Sequence, residues 1–80
     1  MTHFGQIVDC FASQDQQWIT VWDLEERRKW SIALARDAAF AIGDLVQYDK
    51  SATGVREIST IGFDVLPEGL VPLVEVPQTA

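Results

Sequence analysis

Trp18, Thr20 and Trp22 occupy alternate positions of the run Trp18-Ile19-Thr20-Val21-Trp22, and a strand turns all three to one face while Ile19 and Val21 point to the other. Exposed aromatic rings beside cations stack nucleobases while the cations follow the phosphates. The tripeptide Arg27-Arg28-Lys29 lies just downstream and holds half of the chain's 6 basic residues. These positions predict a face for single-stranded DNA or RNA built from Trp18, Thr20, Trp22, Arg27, Arg28 and Lys29. The same rings also suit a second packing surface, because tryptophan buries a large apolar area. Trp30 reads as core or hairpin-end packing, and Glu25-Glu26-Arg27-Arg28 as a solvated loop whose mutual ion pairs contribute little.

Covalent and acid–base chemistry finds few candidates. His3 stands alone near the N-terminus, and no histidine follows Cys10 to activate it as a nucleophile, so Cys10 reads as a small hydrophobe on a strand. Asp9, Cys10 and His3 lack the spacing of a zinc site, Asp44 and Asp49 flank a strand without a glycine-centred calcium loop, and no glycine-rich loop cradles phosphate. A non-enzymatic protein with no catalytic residue, no cofactor and no metal site is expected.

Length and charge bound the partners. Eighty residues make one small domain with little stability to spare, and 48% hydrophobic against 22% charged residues is the composition of a folded chain. A lone cysteine excludes an intrachain disulfide, no signal-like start is visible, and the apolar runs are too short to span a bilayer, so a soluble cytoplasmic protein without membrane contact is expected. The net charge of −6 opposes a strong non-specific grip on phosphate backbones. All 6 basic residues nevertheless lie in residues 1–60, while residues 61–80 carry only the acids Asp64, Glu68 and Glu75. One basic edge is therefore compatible with an acidic whole.

The elements that must position these residues follow from alternation and turn signals. Residues 4–12 read as a strand ending in the polar run Ser13-Gln14-Asp15-Gln16-Gln17, and 18–24 and 29–35 as the two arms of an antiparallel hairpin. An even loop puts Trp22 opposite Ser31, Thr20 opposite Ala33 and Trp18 opposite Ala35, with Ile19, Val21, Ile32 and Leu34 buried. An odd loop sets Trp22 against Trp30 and exchanges the faces. The even register is the expected one, since it keeps the β-branched residues inside. Residues 36–42 can make one or two helical turns capped by Asp37, or an irregular insert. Gly43-Asp44 turns the chain into a fourth strand, 45–49, and 55–61 forms a fifth. The expected fold is all-β, a small five-stranded Greek-key barrel over 1–62. The remainder, 63–80, is an extended tail in which Pro67, Pro72 and Pro77 forbid a continuous helix while its apolar residues demand a dry surface.

Gly5-x-Ile7-Val8, Ile19-Thr20-Val21-Trp22, Phe40-x-Ile42-Gly43-Asp44-Leu45-Val46-x-Tyr48-Asp49 and Gly54-Val55-Arg56-Glu57-Ile58-Ser59 follow one another in an order that resembles the oligonucleotide/oligosaccharide-binding (OB) barrel, in particular its small translation-factor and cold-shock-like RNA binders, over roughly residues 4–62. The Gly-Asp-x-Val element is the most specific piece. The resemblance implies a base-stacking surface on the barrel. This chain departs from those RNA binders in being acidic and in carrying a glutamine-rich first loop.

A second reading gives the tail the active role. Phe63, Leu66, Leu70, Leu73 and Val76 would bind a protein partner or a second copy of the chain. A third treats the acidic chain as a mimic of nucleic acid that occupies a partner's basic cleft, which explains the charge and leaves the basic tripeptide unexplained.

Overall fold

The computed structural model of the chain describes residues 2–51 and 54–74, and in it the β-branched and aromatic runs form five strands: β1 Thr2–Ala12, β2 Gln16–Asp23, β3 Arg28–Ala35, β4 Leu45–Ser51 and β5 Gly54–Ile61. They make one antiparallel sheet in the order β3-β2-β1-β4-β5, nearly closed into a barrel. Curling is helped by extra residues in two ladders. The β1–β2 register shifts between Ile7 and Asp9, and the β4–β5 register between Gln47 and Asp49, where Glu57 takes a left-handed φ of 55°. Among the described residues no helix is long and apolar enough to cross a membrane.

Ile7, Ile19, Val21, Val46 and Tyr48 form the core, with Cys10, Trp30, Ile32, Leu34, Phe40, Val55 and Ile58 packed on it. Gly5 belongs to this packing for want of a side chain. A Cβ there would stand 2.6 Å from a Val21 methyl and 2.9 Å from the Trp22 carbonyl oxygen, so β1 can cross β2 this closely only at a glycine.

The hairpin keeps the expected parity but not the expected pairs. Trp22 faces Lys29, Thr20 faces Ser31 and Trp18 faces Ala33, two residues nearer the turn than the alternation suggests. The strands zip up to Asp23–Arg28 because the Asp23 carboxylate accepts the N–H groups of Glu25 and Glu26, at 2.9 and 2.8 Å, and the Asp23 carbonyl accepts that of Arg27. Arg27 closes this tight turn at φ 58°. Ile19 and Val21 lie inside and Trp18, Thr20 and Trp22 outside, as the even register requires.

The connection 36–44 is irregular rather than helical. Ala39 sits at φ 51°, and a glutamine side chain ties down the next residue: Gln17 Nε2 donates to the Phe40 carbonyl at 2.8 Å, and the Phe40 N–H donates back to Gln17 Oε1. Gly43, at φ 94°, then turns the chain into β4 while its N–H donates to the Ile7 carbonyl.

Beyond β5 the chain makes a 3-10 turn, Phe63–Val65, and a turn at Gly69, and reaches back to β1. Gln6 receives it as Gln17 receives Phe40. Its amide nitrogen donates to the Val74 carbonyl and its amide oxygen accepts the Val74 N–H, both at 2.9 Å, and the nitrogen donates to the Gly43 carbonyl as well. An amide side chain thus supplies one rung of a ladder that proline keeps the tail from making regularly.

Candidate functional site

The register writes the outer face of β1–β3 as three rows. Phe11, Trp18 and Ala33 form the first, Asp9, Thr20 and Ser31 the second, and Gln6, Trp22 and Lys29 the third.

In the first row the Phe11 and Trp18 rings lie nearly parallel, 10° between planes with centroids 6.4 Å apart. They are 61% and 38% exposed, high values for such large side chains, and Ala33 beside them adds no bulk that would cover them. In the middle row the Thr20 and Ser31 hydroxyls hydrogen-bond across the strands at 3.2 Å, and Asp9 is exposed. At the same end as Phe11 and Trp18, the Arg36 guanidinium donates to the Gln14 carbonyl at 2.8 Å.

The third row is occupied. Gln6 and its β4 neighbour Leu45 are fully buried although they stand on the side of the sheet away from the core, and Trp22 is half-buried. A cavity of about 340 Å³ remains between Trp22, Leu24 and Arg27 on the hairpin and Gly69, Val71, Pro72 and Leu73 on the tail.

The six residues expected to act together are therefore divided. Trp18 and Thr20 share the open part of the face, while Trp22, Lys29 and Arg27 belong to the part beside the tail. Arg28 pairs with Asp23 at the hairpin end, on the opposite side of the ladder from Lys29. Of the expected partner-binding residues, Phe63 and Leu73 are exposed and Leu66 and Leu70 half-buried, while Val76 lies outside the described residues. Phe11 is the site residue that alternation alone misses. The signal for it is that β1 and β2 are joined by a short polar loop, which brings the end of one strand beside the start of the next.

A second polar cluster closes the end of the barrel inside the hairpin. Tyr48 donates its hydroxyl hydrogen to Asp23 Oδ2 and accepts the Trp30 indole N–H at 3.0 Å, and the Trp30 ring meets it edge-on. Burial pushes the Asp23 carboxyl up, but hydrogen bonds from the Glu26 N–H, the Tyr48 hydroxyl and the Glu25 N–H, with the nearby His3, together hold it below the ordinary aspartate value. Burial first, and then the bond to Asp23, push the Tyr48 phenol well above its ordinary value. His3 is no stray end residue. It pairs with Tyr48 across β1–β4 and stacks on its ring at 5.5 Å, with Nδ1 at 3.4 Å from Asp23 Oδ2 and 3.9 Å from Glu26 Oε1. Lys50 Nζ reaches Glu26 from the far side at 3.5 Å.

Comparison with protein-family models, curated proteins and solved structures gives no match for this chain.

Proposed function

We propose that this protein is a non-enzymatic binding module for single-stranded nucleic acid, with Phe11 and Trp18 as the platform on which bases stack. The observation that carries the reading is the parallel, exposed pair of rings beside the small side chain of Ala33. Stacking on such rings contributes about 1–3 kcal/mol per base and tolerates any sequence. The Thr20–Ser31 hydroxyl pair offers donors and acceptors to a base edge, and Arg36 supplies a cation at the same end. Lys29 and Arg27 would carry the backbone onward along the hairpin, while Arg28 stands on the other side of the ladder. The strand order β3-β2-β1-β4-β5 supports the resemblance to the OB barrel, a fold that binds oligomers on its β2–β3 face.

With so few cations and a net charge of −6 the electrostatic share is small. The test is a titration of short single-stranded oligonucleotides at low and moderate salt, followed by tryptophan fluorescence. Saturable quenching with a shallow salt slope, about −0.7 per phosphate contacted, supports the reading. Absence of quenching at low salt would overturn it.

The exposed apolar side chains of Phe63, Val65, Val71 and Leu73 favour a second reading, in which the tail docks on a protein partner or a second copy of the chain. Concentration-dependent sedimentation that disappears on removal of 63–80 would favour it over the first. The mimic reading is the weakest, because it leaves Arg27, Arg28 and Lys29, all exposed, without a role.

A further inference from the structure

The cluster at the hairpin end does not enter the nucleic-acid reading, yet it brings three metal-ligating side chains, one from β1 and two from the β2–β3 turn, to one point. We propose that His3, Asp23 and Glu26 bind a divalent transition-metal ion of the zinc class, His3 through Nδ1 and the acids through one carboxylate oxygen each. The three donor atoms lie within 4.8 Å of one another. A tetrahedral ion with bonds of about 2.0–2.2 Å sets its ligands roughly 3.3–3.6 Å apart. The distances from Nδ1, 3.4 Å to Asp23 and 3.9 Å to Glu26, approach that spacing, so closure requires only a small turn of the Glu26 side chain.

Independent of the distances, His3 Nδ1 is a buried polar atom without a hydrogen-bond partner. Buried polar atoms left in that state call for an explanation, and a ligand is one. Stacking on Tyr48 fixes the plane of the ring and so the direction of the Nδ1 lone pair. Asp23 is held as firmly. One of its oxygens accepts the N–H groups of Glu25 and Glu26, and the other accepts the Tyr48 hydroxyl and keeps a lone pair for the ion. These bonds orient the ligand as outer-shell partners do in metal sites.

Charge is consistent with the assignment, since two carboxylates and a neutral imidazole balance a dication. Glu26 is 37% exposed, which gives the ion an entry path and leaves a fourth position for water. Lys50 Nζ pairs with the other Glu26 oxygen, Oε2, at 3.5 Å, and leaves Oε1 toward the ion. The competing occupant of the site is a proton on Nδ1, which would pair His3 with the same two carboxylates.

The test uses the full, untagged chain, zinc alone as the ligand, and calorimetry or competition with a chromophoric chelator at pH 7.5. One equivalent is expected to bind and to raise the melting temperature by linkage. Cobalt should give the visible absorption of a four- or five-coordinate site. Glu26→Ala, at an exposed turn position that leaves the fold intact, should weaken zinc binding at least tenfold, and His3→Ala should abolish it. Absence of saturable binding at pH 7.5 would overturn the proposal. So would one-to-one binding that neither variant changes.

Discussion

Trp18 and Trp22 are the same residue on the same face of the same strand, yet one looks onto solvent beside Phe11 and the other onto the chain's own C-terminal segment. Strand alternation cannot distinguish them, since both have the correct parity. The difference is made by two glutamines. Gln6 fastens Val74 and so brings the tail to the Trp22 row, whereas Gln17 fastens Phe40 and holds the 36–44 connection, leaving the Trp18 row open. A sheet face becomes a packing surface or a binding surface according to which backbone its polar side chains recruit.

The comparison breaks most completely where both rows lose their scaffold. Asp23→Ala would leave the Tyr48 hydroxyl and two turn N–H groups without their acceptor, and each such buried group costs about 1–3 kcal/mol. A loss of about 3 kcal/mol or more by urea unfolding is expected, with both rows loosened together. The same carboxylate governs acid stability. Because folding lowers the Asp23 pKa, its contribution is present above about pH 4, the unfolded value, and is lost as pH falls through the lower folded value. Tyr48 works in the other direction. Its raised pKa gives a contribution that is complete below about pH 10 and lost as pH rises beyond that value. Unfolding midpoints measured across pH should show both shoulders, and Asp23→Asn should flatten the acid one.

Gln6→Leu sharpens the comparison by acting on one row alone. It removes the bonds to Val74 and Gly43, and a cost of about 2 kcal/mol is expected because the freed tail regains water. Trp22 should then become accessible to acrylamide while the quenching of Trp18 stays unchanged. Equal quenching of Trp22 before and after the substitution would show that the tail does not shield it. The smallest effect on stability is expected at Phe11, the more exposed of the two open-row rings, where Phe11→Ala should cost about 1 kcal/mol; Trp18→Ala, at a side chain that keeps more than half of its surface covered, should cost about 2 kcal/mol.

Much of the barrel is legible in the sequence because its strands are short alternating runs between strong turn signals. Gly43-Asp44 marks the entry to β4, and the pattern Ile19, Val21, Ile32, Leu34 marks the buried face of the hairpin. Its register is less legible. Asp23 reads as an ordinary residue near the end of the second strand but is 1% exposed and caps the turn, which pulls the pairing two residues nearer the turn than alternation alone suggests. His3 shows the same limit. It reads as an isolated terminal histidine because its partners Asp23 and Tyr48 lie far along the chain, brought to it by the β1–β2 and β1–β4 pairings. Phe11 was hidden for a related reason, as its neighbour across the loop is set by the β1–β2 register.

The central claim is that the open row binds and the covered row packs. Its most direct test is the affinity of a short fluorescent single-stranded oligonucleotide, measured by anisotropy at low salt, for the parent chain, Trp18→Ala and Trp22→Ala. Loss of one stacked base corresponds to about 1–3 kcal/mol, or roughly five- to 150-fold in Kd. Trp18→Ala should weaken binding within that range in a chain that is still folded, and Trp22→Ala should leave affinity within about twofold while lowering the melting temperature. The opposite pattern, with Trp22→Ala abolishing binding and Trp18→Ala binding as the parent does, would contradict the account.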